Sequence, residues 1–374
     1  MQYRTFADLR LSHLGFGAMR LPIIDGDEAR IDEEAASRMV SAAFAAGINY
    51  FDTAWGYHSE NSELVMGKIL KAYPRDSFYL ATKFPGYDPS NLERMEEIFS
   101  RQRDKLQTDY FDFYLVHNVC DVNIEYYLKP DLVAFLREQK SAGKIRHLGF
   151  SVHGDLAIMK RFLEAFADDM EFCQIQLNWF DWEFQDAKAK VELLREYNIP
   201  FIVMEPLRGG KLAALTEDAE AKLKALRPDE TIPAWSFRYL QGFADAFVIL
   251  SGMSNMEQLE ENIQTFVEEK PTTEEENAVL YKIGESLKKG VPCTSCRYCT
   301  TTCPKGLDIP RLLYLYNEHK FTGGGFFAPL VLSSLPAEKH PSACISCGRC
   351  ERACPQVIPV SLVFREFTES LKGK

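Results

Sequence analysis

Along the first three quarters of the chain, short apolar or β-branched runs alternate with amphipathic stretches of helical length. "INYFDTA" gives way to "SENSELVMGKILKAY", "FYLATKF" to "LERMEEIFSRQRDKL", and "FDFYLVHNV" to "DLVAFLREQKSAG". The rhythm continues with "IRHLGFSVH" and "LAIMKRFLEAFA", "FCQIQLNW" and "AKAKVELLREYN", "PFIVMEPL" and "PAWSFRYLQGF", then "AFVILSGM" and "NMEQLEENIQTF". With "LGFGAMRLP" before "DEEAASRMVSAAFAAG", the strand-helix units number eight. Continuous apolar strands, each followed by a helix, predict a parallel sheet covered on both faces. Eight units over about 265 residues suit a closed (β/α)8 TIM barrel better than an open doubly wound sheet. The opening "YRTFADLRLSHL" predicts a hairpin that closes the bottom of that barrel. The charged, Pro-containing break "EEKPTTEEEN" from Glu268 marks a boundary, so we expect an α/β barrel over residues 1–270 and a smaller domain over 271–374.

Composition narrows the class. Of 374 residues, 46% are hydrophobic and 26% charged, as in a soluble globular protein. A net charge of −11 speaks against nucleic-acid or anionic-membrane partners. The sequence shows neither a basic-then-apolar leader nor an apolar run of spanning length, which makes a cytoplasmic location the expectation. Eight of the ten cysteines fall in two runs, while Cys120 and Cys173 stand alone in apolar surroundings and read as small buried side chains. In a reducing compartment, clustered thiols mean metal or redox chemistry rather than a disulfide framework.

The two runs are "CTSCRYCTTTCPKG" from Cys293 and "CISCGRCERACPQV" from Cys344. Zinc would want two pairs of thiols separated by a longer loop. A third Cys after only two more residues, and a fourth followed by Pro, instead resemble the bacterial ferredoxin run, in which three thiolates of each run bind one [4Fe–4S] cluster and the fourth crosses to the other. The resemblance assigns Cys293, Cys296, Cys299 and Cys354 to one cluster, and Cys344, Cys347, Cys350 and Cys303 to the second. Pro304 and Pro355 close the runs, and "LDIPRLLYLYNEH" and "VIPVSLVFREF" read as the helices that follow. We therefore expect a small α-helical, ferredoxin-like iron-sulfur domain. The stretch "FTGGGFFAPLVLSSLP" reads as an insertion packing against the barrel.

In a barrel of this kind, polar residues at the C-terminal ends of strands are the first place to look for chemistry. Reading along them gives Asp52 and Tyr57 in "FDTAWGYHSE", Lys83 in "LATKF" and His117 in "YLVHN". A tyrosine can protonate a carbonyl oxygen as hydride arrives at its carbon, provided a neighbouring ammonium lowers a phenol pKa that is ordinarily near 10. A carboxylate would hold that ammonium, and a histidine would orient the carbonyl and stabilise developing charge.

With "LGFSVH", "CQIQLNW", "PLRGGKL" and "SGMSNMEQLEEN", these motifs resemble the aldo-keto reductase superfamily in order and spacing, from Leu14 to about Phe266. The resemblance implies Tyr57 as general acid/base, Lys83 and Asp52 as its tuning pair, and His117 as the orienting residue. It also implies a nicotinamide cofactor lying extended across the barrel mouth. Ser151 and Gln174 match carboxamide-binding positions, and Gly17 and Met19 lie where the first strand meets the cofactor. Met204, Pro206 and Leu207 follow the seventh strand; Gly252, Ser254, Gln258, Glu261 and Asn262 match the adenosine-binding segment. That segment holds no Lys or Arg for a 2′-phosphate, which tips the balance between NAD and NADP toward NAD. Met204 stands where a ring-stacking aromatic is usual, and Val152 where Asn is common.

The expectation is an oxidoreductase that interconverts a small-molecule carbonyl compound and its alcohol, with electrons exchanged through the clusters with a redox partner protein. Nicotinamide moves two electrons as hydride while a cluster takes one, which leaves room for a flavin and a flavin-mediated electron-transfer enzyme as one alternative. A nucleotide-binding redox sensor with structural clusters is the other. Trp55, Trp179, Phe180 and Trp182 are candidates for an aromatic-lined substrate pocket.

Overall fold

The computed structural model describes residues 1–121, 123–287, 290–293, 296–297, 299–354 and 356–372. Pro355 lies outside the described residues. The chain forms two compact units, Met1–Tyr281 and Lys282–Lys374.

In the first unit, eight parallel strands close into a barrel in chain order: Leu14–Gly17, Tyr50–Asp52, Tyr79–Phe84, Phe111–Val119, Ile145–Val152, Phe172–Gln176, Phe201–Met204 and Ala246–Gly252. The eighth pairs with the first through Ile249–Leu14 to Gly252–Gly17, and the fifth with the sixth through Phe172–Gly149 to Ile175–Val152. Near-complete burial of these strands explains their continuous apolar runs. All eight expected strands form, and each of the eight expected helices follows its strand, from Glu33–Ala45 to Met256–Thr265. Side-chain caps set several helix starts: Asp32, Asp155, Thr231 and Asn255 each accept a first-turn N–H.

The expected hairpin, Tyr3–Phe6 with Leu9–Ser12, is present and antiparallel. Its Phe6 and Leu11 join Tyr50, Phe113, Phe172 and Phe247 in one buried cluster, with Phe6 stacked on Phe247 at 4.5 Å. This plug closes one end of the barrel, so the polar strand ends gather at the other.

Three elements depart from the sequence reading. A second hairpin, Ile23–Ile24 with Asp27–Ile31, occupies "IIDGDEARI", where alternation is too short to register. An extra helix, Glu217–Leu226, precedes Ile232–Gln241. The charged break after Glu268 is shorter than its composition suggests, because Glu274, Glu275 and Glu276 form the acidic first turn of a helix, Glu274–Leu287. The division between the two units falls inside that helix.

The second unit is helical. Ile309–Thr322 starts at Asp308, whose side chain caps Arg311 N–H, and ends at left-handed Gly323; it packs on Val360–Lys372. Leu312, Leu313, Tyr316, Val363, Phe364 and Phe367 build a core shared with the buried Cys299 and Cys350. The apolar side of the insertion helix, Phe327–Ser333, is taken up here: Ala328, Val331 and Leu332 are buried in this unit's own core. No helix among the described residues is long and apolar enough to cross a membrane.

Candidate functional site

Asp52 and Lys83 end adjacent strands, and the Lys83 ammonium donates to Asp52 Oδ1 at 2.6 Å and to the Thr53 carbonyl at 2.8 Å. Both side chains are almost wholly buried. Lys83 stays charged there: burial acts to lower its pKa, but the Asp52 carboxylate and the Tyr57 oxygen outweigh it and raise it. Its strand is anchored from behind by a chain of hydrogen bonds. Tyr114 donates to Gln102, Gln102 donates to Glu63 and to the Lys83 carbonyl, and Thr82 donates to Glu63.

Tyr57 lies on the loop beyond Asp52, its ring centre 5.1 Å from the Lys83 ammonium and 6.1 Å from the His117 ring. Three successive residues after it, His58, Ser59 and Glu60, take left-handed backbone angles, a strained turn that needs support. His58 supplies it, accepting from Leu21 N–H at Nε2 and donating from Nδ1 to the Glu28 carbonyl. The second hairpin thus fixes the Tyr57 loop.

The expectation that Lys83 pulls the Tyr57 phenol below its ordinary value is corrected. Burial is the larger influence and pushes the pKa up, with Lys83 opposing and Asp52 and Glu205 adding to the rise. The phenol therefore remains protonated at neutral pH, ready to donate. Burial, with Lys83 and His153, drives His117 well below its ordinary value and keeps it neutral. His117 reaches the mouth because the fourth strand slips register between Val116 and Val119, where Asn118 turns left-handed.

The remaining positions line the same end. Ser151 accepts from Asn118 N–H at 2.7 Å, leaving its own proton to donate. Four buried polar atoms at this rim have no partner: Asp52 Oδ2, His117 Nδ1, Asn118 Oδ1 and Gln174 Oε1. Buried polar atoms ordinarily bond to protein or to ordered water, and at a barrel mouth a bound ligand is a further partner that could complete these four. A carboxamide, with one acceptor and two donors, suits the Ser151 hydroxyl and the Gln174 oxygen. Gly17 pairs with Asp52 and Gly252 on its two sides, and Met19 is exposed just beyond. Met204, Pro206 and Leu207 lead into a turn whose Glu205 and Arg208 are left-handed.

At the adenosine segment the sequence reading needs amending. Ser254 donates its hydroxyl to the Arg20 carbonyl, its N–H is taken by Gln258, and Asn262 donates to Ser251. These groups are committed inside the protein, whereas Glu261 Oε1 is buried without a partner. A cation does stand beside this segment, brought from elsewhere in the chain: Arg20 packs over Gly252, and its guanidinium reaches Gly209 and opposes the larger influence of burial on Glu205. Arg20 gave no signal in sequence, because only the closed barrel brings the first strand beside the eighth. Arg208 was missed likewise; it bonds Asp181 at 2.9 Å beneath the turn. Of the aromatic candidates, Trp55 is buried under Lys105 and Arg101, and Trp179 is a core residue that donates to Ser236. Phe180 lies beneath Arg208 and Trp182 packs on Phe243.

In the smaller unit the thiols line two chambers. Cys303, Cys344, Cys347 and Cys350 surround one cavity, and Cys293, Cys296, Cys299 and Cys354 another. Each therefore takes three thiols from one run and the fourth from the other, as the ferredoxin resemblance assigns. Among the described residues no His, Cys, Asp or Glu side chains converge on a single-ion site. Backbone N–H groups of Leu307 and Ser346 point at Cys303 and Cys344 sulfurs, at 3.5 and 3.4 Å. Such donors suit thiolates bound to a cluster.

Comparison with known proteins agrees with both halves. A family model described as "Aldo/keto reductase family" matches residues 13–285, and one described as "4Fe-4S dicluster domain" matches residues 292–358. "Probable aldo-keto reductase 1" of Glycine max is 28% identical over 228 residues, covering 58% of this chain and 62% of that protein. The match thus spans about three fifths of the Glycine max protein's length. "NADH-specific methylglyoxal reductase" of Escherichia coli strain K12 is 26% identical over 304 residues, covering 68% of this chain and 90% of that protein. Among solved structures, the holo form of an aldo-keto reductase from Bacillus halodurans superposes with a TM-score of 0.62 at 27% identity, over 76% of this chain and 96% of that one.

Proposed function

The chain belongs to the aldo/keto reductase family, and from that premise we propose that it interconverts a carbonyl compound and its alcohol using NAD or NADP, while its C-terminal domain exchanges electrons through two [4Fe–4S] clusters. The observation that carries the first half is the buried Asp52–Lys83 pair set against Tyr57, with neutral His117 across the mouth.

The nicotinamide, when bound, supplies or accepts the hydride. Tyr57 gives its phenolic proton to the carbonyl oxygen in reduction and takes it back in oxidation. Lys83, held charged by Asp52, stabilises the phenolate left behind, and its pull on Tyr57 matters most at that moment. His117 donates one hydrogen bond to the substrate oxygen without carrying charge, which fits its depressed pKa. Ser151 and Gln174 hold the carboxamide, and Gly17, Met19, Met204, Pro206 and Leu207 shape the groove for the rest of the cofactor. Gly252, Ser254, Gln258, Glu261 and Asn262 form the far end.

Arg20 answers the cation missing from the Ser254 segment, and this removes the electrostatic argument for NAD; the NADH specificity of the Escherichia coli relative gives NADH some weight again. The clusters, when bound, pass electrons singly. Four thiols at each chamber and the dicluster match support this half. A reducing, cytoplasmic setting suits free thiolates.

The test is Tyr57→Phe with a panel of small aldehydes and ketones and either nucleotide. Loss of turnover with nucleotide affinity retained supports the reading. An unchanged rate, or a nucleotide response that needs no turnover, favours a sensor instead.

A further inference from the structure

Charge is divided unevenly along the chain. Residues 1–281 carry 30 Lys and Arg against 47 Asp and Glu, a formal −17. Residues 282–374 carry 13 against 7, a formal +6. Two oxidised clusters, each about −2 with four thiolates on a 2+ core, leave this smaller unit positive. An acidic protein thus contains a basic iron-sulfur unit.

Four of these thirteen cations lie at or beside one chamber. Lys305 lines the cavity ringed by Cys303, Cys344, Cys347 and Cys350. Lys339 donates to the carbonyls of Lys305 at 3.1 Å and Gly306 at 3.0 Å, fixing that loop and adding a second charge. Arg352 reaches back to Gly348, where its Nη1 would stand 3.4 Å from an added Cβ, and Arg349 is exposed on the same short helix. Glu351 accepts from the Ser361 N–H and hydroxyl through Oε1, while its Oε2 lies 3.7 Å from the same added Cβ, and Glu338 adjoins Lys339 in sequence. Among the described residues, Lys305, Arg349 and Arg352 have no salt-bridge partner. At the other chamber, by contrast, Arg297 is answered by Asp308 at 2.8 Å. Within the cationic rim, Ile345 is 57% exposed and lines the same cavity, and Cys347 is exposed beside it. An apolar centre on a rim where the four cations Lys305, Lys339, Arg349 and Arg352 outnumber the carboxylates Glu338 and Glu351 is the form of a surface that docks a partner of the opposite sign.

We propose that the chamber of Cys303, Cys344, Cys347 and Cys350 is the electron port of the unit, and that Lys305, Arg349 and Arg352 around Ile345 dock a small acidic one-electron carrier protein. The proposal rests on the reading that the clusters exchange electrons. A cluster held by Cys303, Cys344, Cys347 and Cys350 would exchange one electron per encounter, one partner gaining what the other loses, with no bond or proton transferred.

The test uses the full-length, cluster-loaded protein and two probes, an acidic [2Fe–2S] ferredoxin and basic cytochrome c, with binding followed by biolayer interferometry at low and high salt. The ferredoxin should bind at low salt and weaken about tenfold or more as salt screens the contact. Lys305→Glu with Arg349→Glu should weaken it about tenfold further, at unchanged iron content and visible absorbance. Should that pair fail to load iron, Lys305→Gln with Arg349→Gln provides the same reading. Arg297→Gln, at the other chamber, should leave ferredoxin binding within about twofold, as expected for a charge already paired. Failure to bind ferredoxin, preference for cytochrome c, or indifference to the Lys305 and Arg349 changes would overturn the proposal. So would salt-sensitive self-association that the same changes abolish, which would make the acidic unit of a second copy the occupant. Mixing with dithionite-reduced ferredoxin separates the two levels. Charge-dependent binding without any change in cluster absorbance sinks the electron-exchange reading, and the port with it, while leaving the contact.

Discussion

In the barrel, Asp52 and Lys83 are delivered by adjacent strands of a closed sheet and locked by hydrogen bonds before any cofactor is considered. In the smaller unit, seven of the eight cluster cysteines lie outside regular elements, and Cys350 sits on a four-residue helix. The first site is therefore shaped by the polypeptide, the second by what its thiolates hold. A barrel buries enough apolar surface to fix reactive groups against their preference for water. A unit of some ninety residues with loops at its centre needs a metal staple as well.

The largest effect expected from this contrast is on removing iron. Chelation under reducing conditions, or Cys350→Ala, should open residues 282–372 to proteolysis and hydrogen exchange, because metal binding there is folding free energy. The barrel should keep its unfolding transition. A barrel that melts alongside the smaller unit would break the comparison. Next is Tyr57→Phe, which should lower turnover by about 10²–10⁴-fold without lowering the melting temperature, checked by steady-state kinetics and calorimetry.

Asp52→Asn should then destabilise the barrel by about 3–5 kcal/mol, since it leaves the Lys83 ammonium buried without its carboxylate. Denaturant titration measures this, and adding Lys83→Met should recover part of the loss. Acidity profiles sharpen the account further. With His117 held below and Tyr57 above their ordinary values, carbonyl reduction should stay nearly level between about pH 6.5 and 10. An ionisation in that range that vanishes in His117→Gln would count against a neutral histidine.

The smallest effect concerns Glu171, which bonds His147, Lys140 and the Leu148 N–H and is held down to about 2, these bonds outweighing the opposing influence of burial. A lowered carboxylate stabilises the fold above its unfolded value and loses that stabilisation as pH falls through its folded one. Glu171→Gln should therefore cost about 1 kcal/mol near neutrality, allowing for solvent screening, with the cost shrinking as pH falls toward 2 and gone only below it. Thermal melts across that window check it.

Sequence alone was sufficient for what depends on local period and spacing. The eight strands, the plugging hairpin and Asp52, Tyr57, Lys83 and His117 follow from runs such as "FDFYLVHNV", whose burial on both faces forbids polar interruption except at the ends. The partition of the thiols came from the resemblance of their runs to the bacterial ferredoxin pattern, and the two chambers are lined by the same two sets. What the sequence hid is what closure brings together. Arg20 meets Gly252 across 232 positions, and the balance of burial against Lys83 at Tyr57 depends on how deep the phenol lies. "IIDGDEARI" is too polar and short to read as a hairpin, yet it holds His58 and through it the Tyr57 loop.

The central claim is that hydride chemistry in the barrel and electron exchange in the clusters belong to one enzyme. It is tested most directly by anaerobic titration of the iron-loaded protein with NADH, and separately NADPH, followed by visible absorbance and low-temperature electron paramagnetic resonance. Nucleotide should bleach the cluster absorbance and raise paired [4Fe–4S] signals, with any bound flavin visible as the intermediary. Clusters reduced only by dithionite, in a protein whose barrel still oxidises nucleotide with a carbonyl compound, would contradict it.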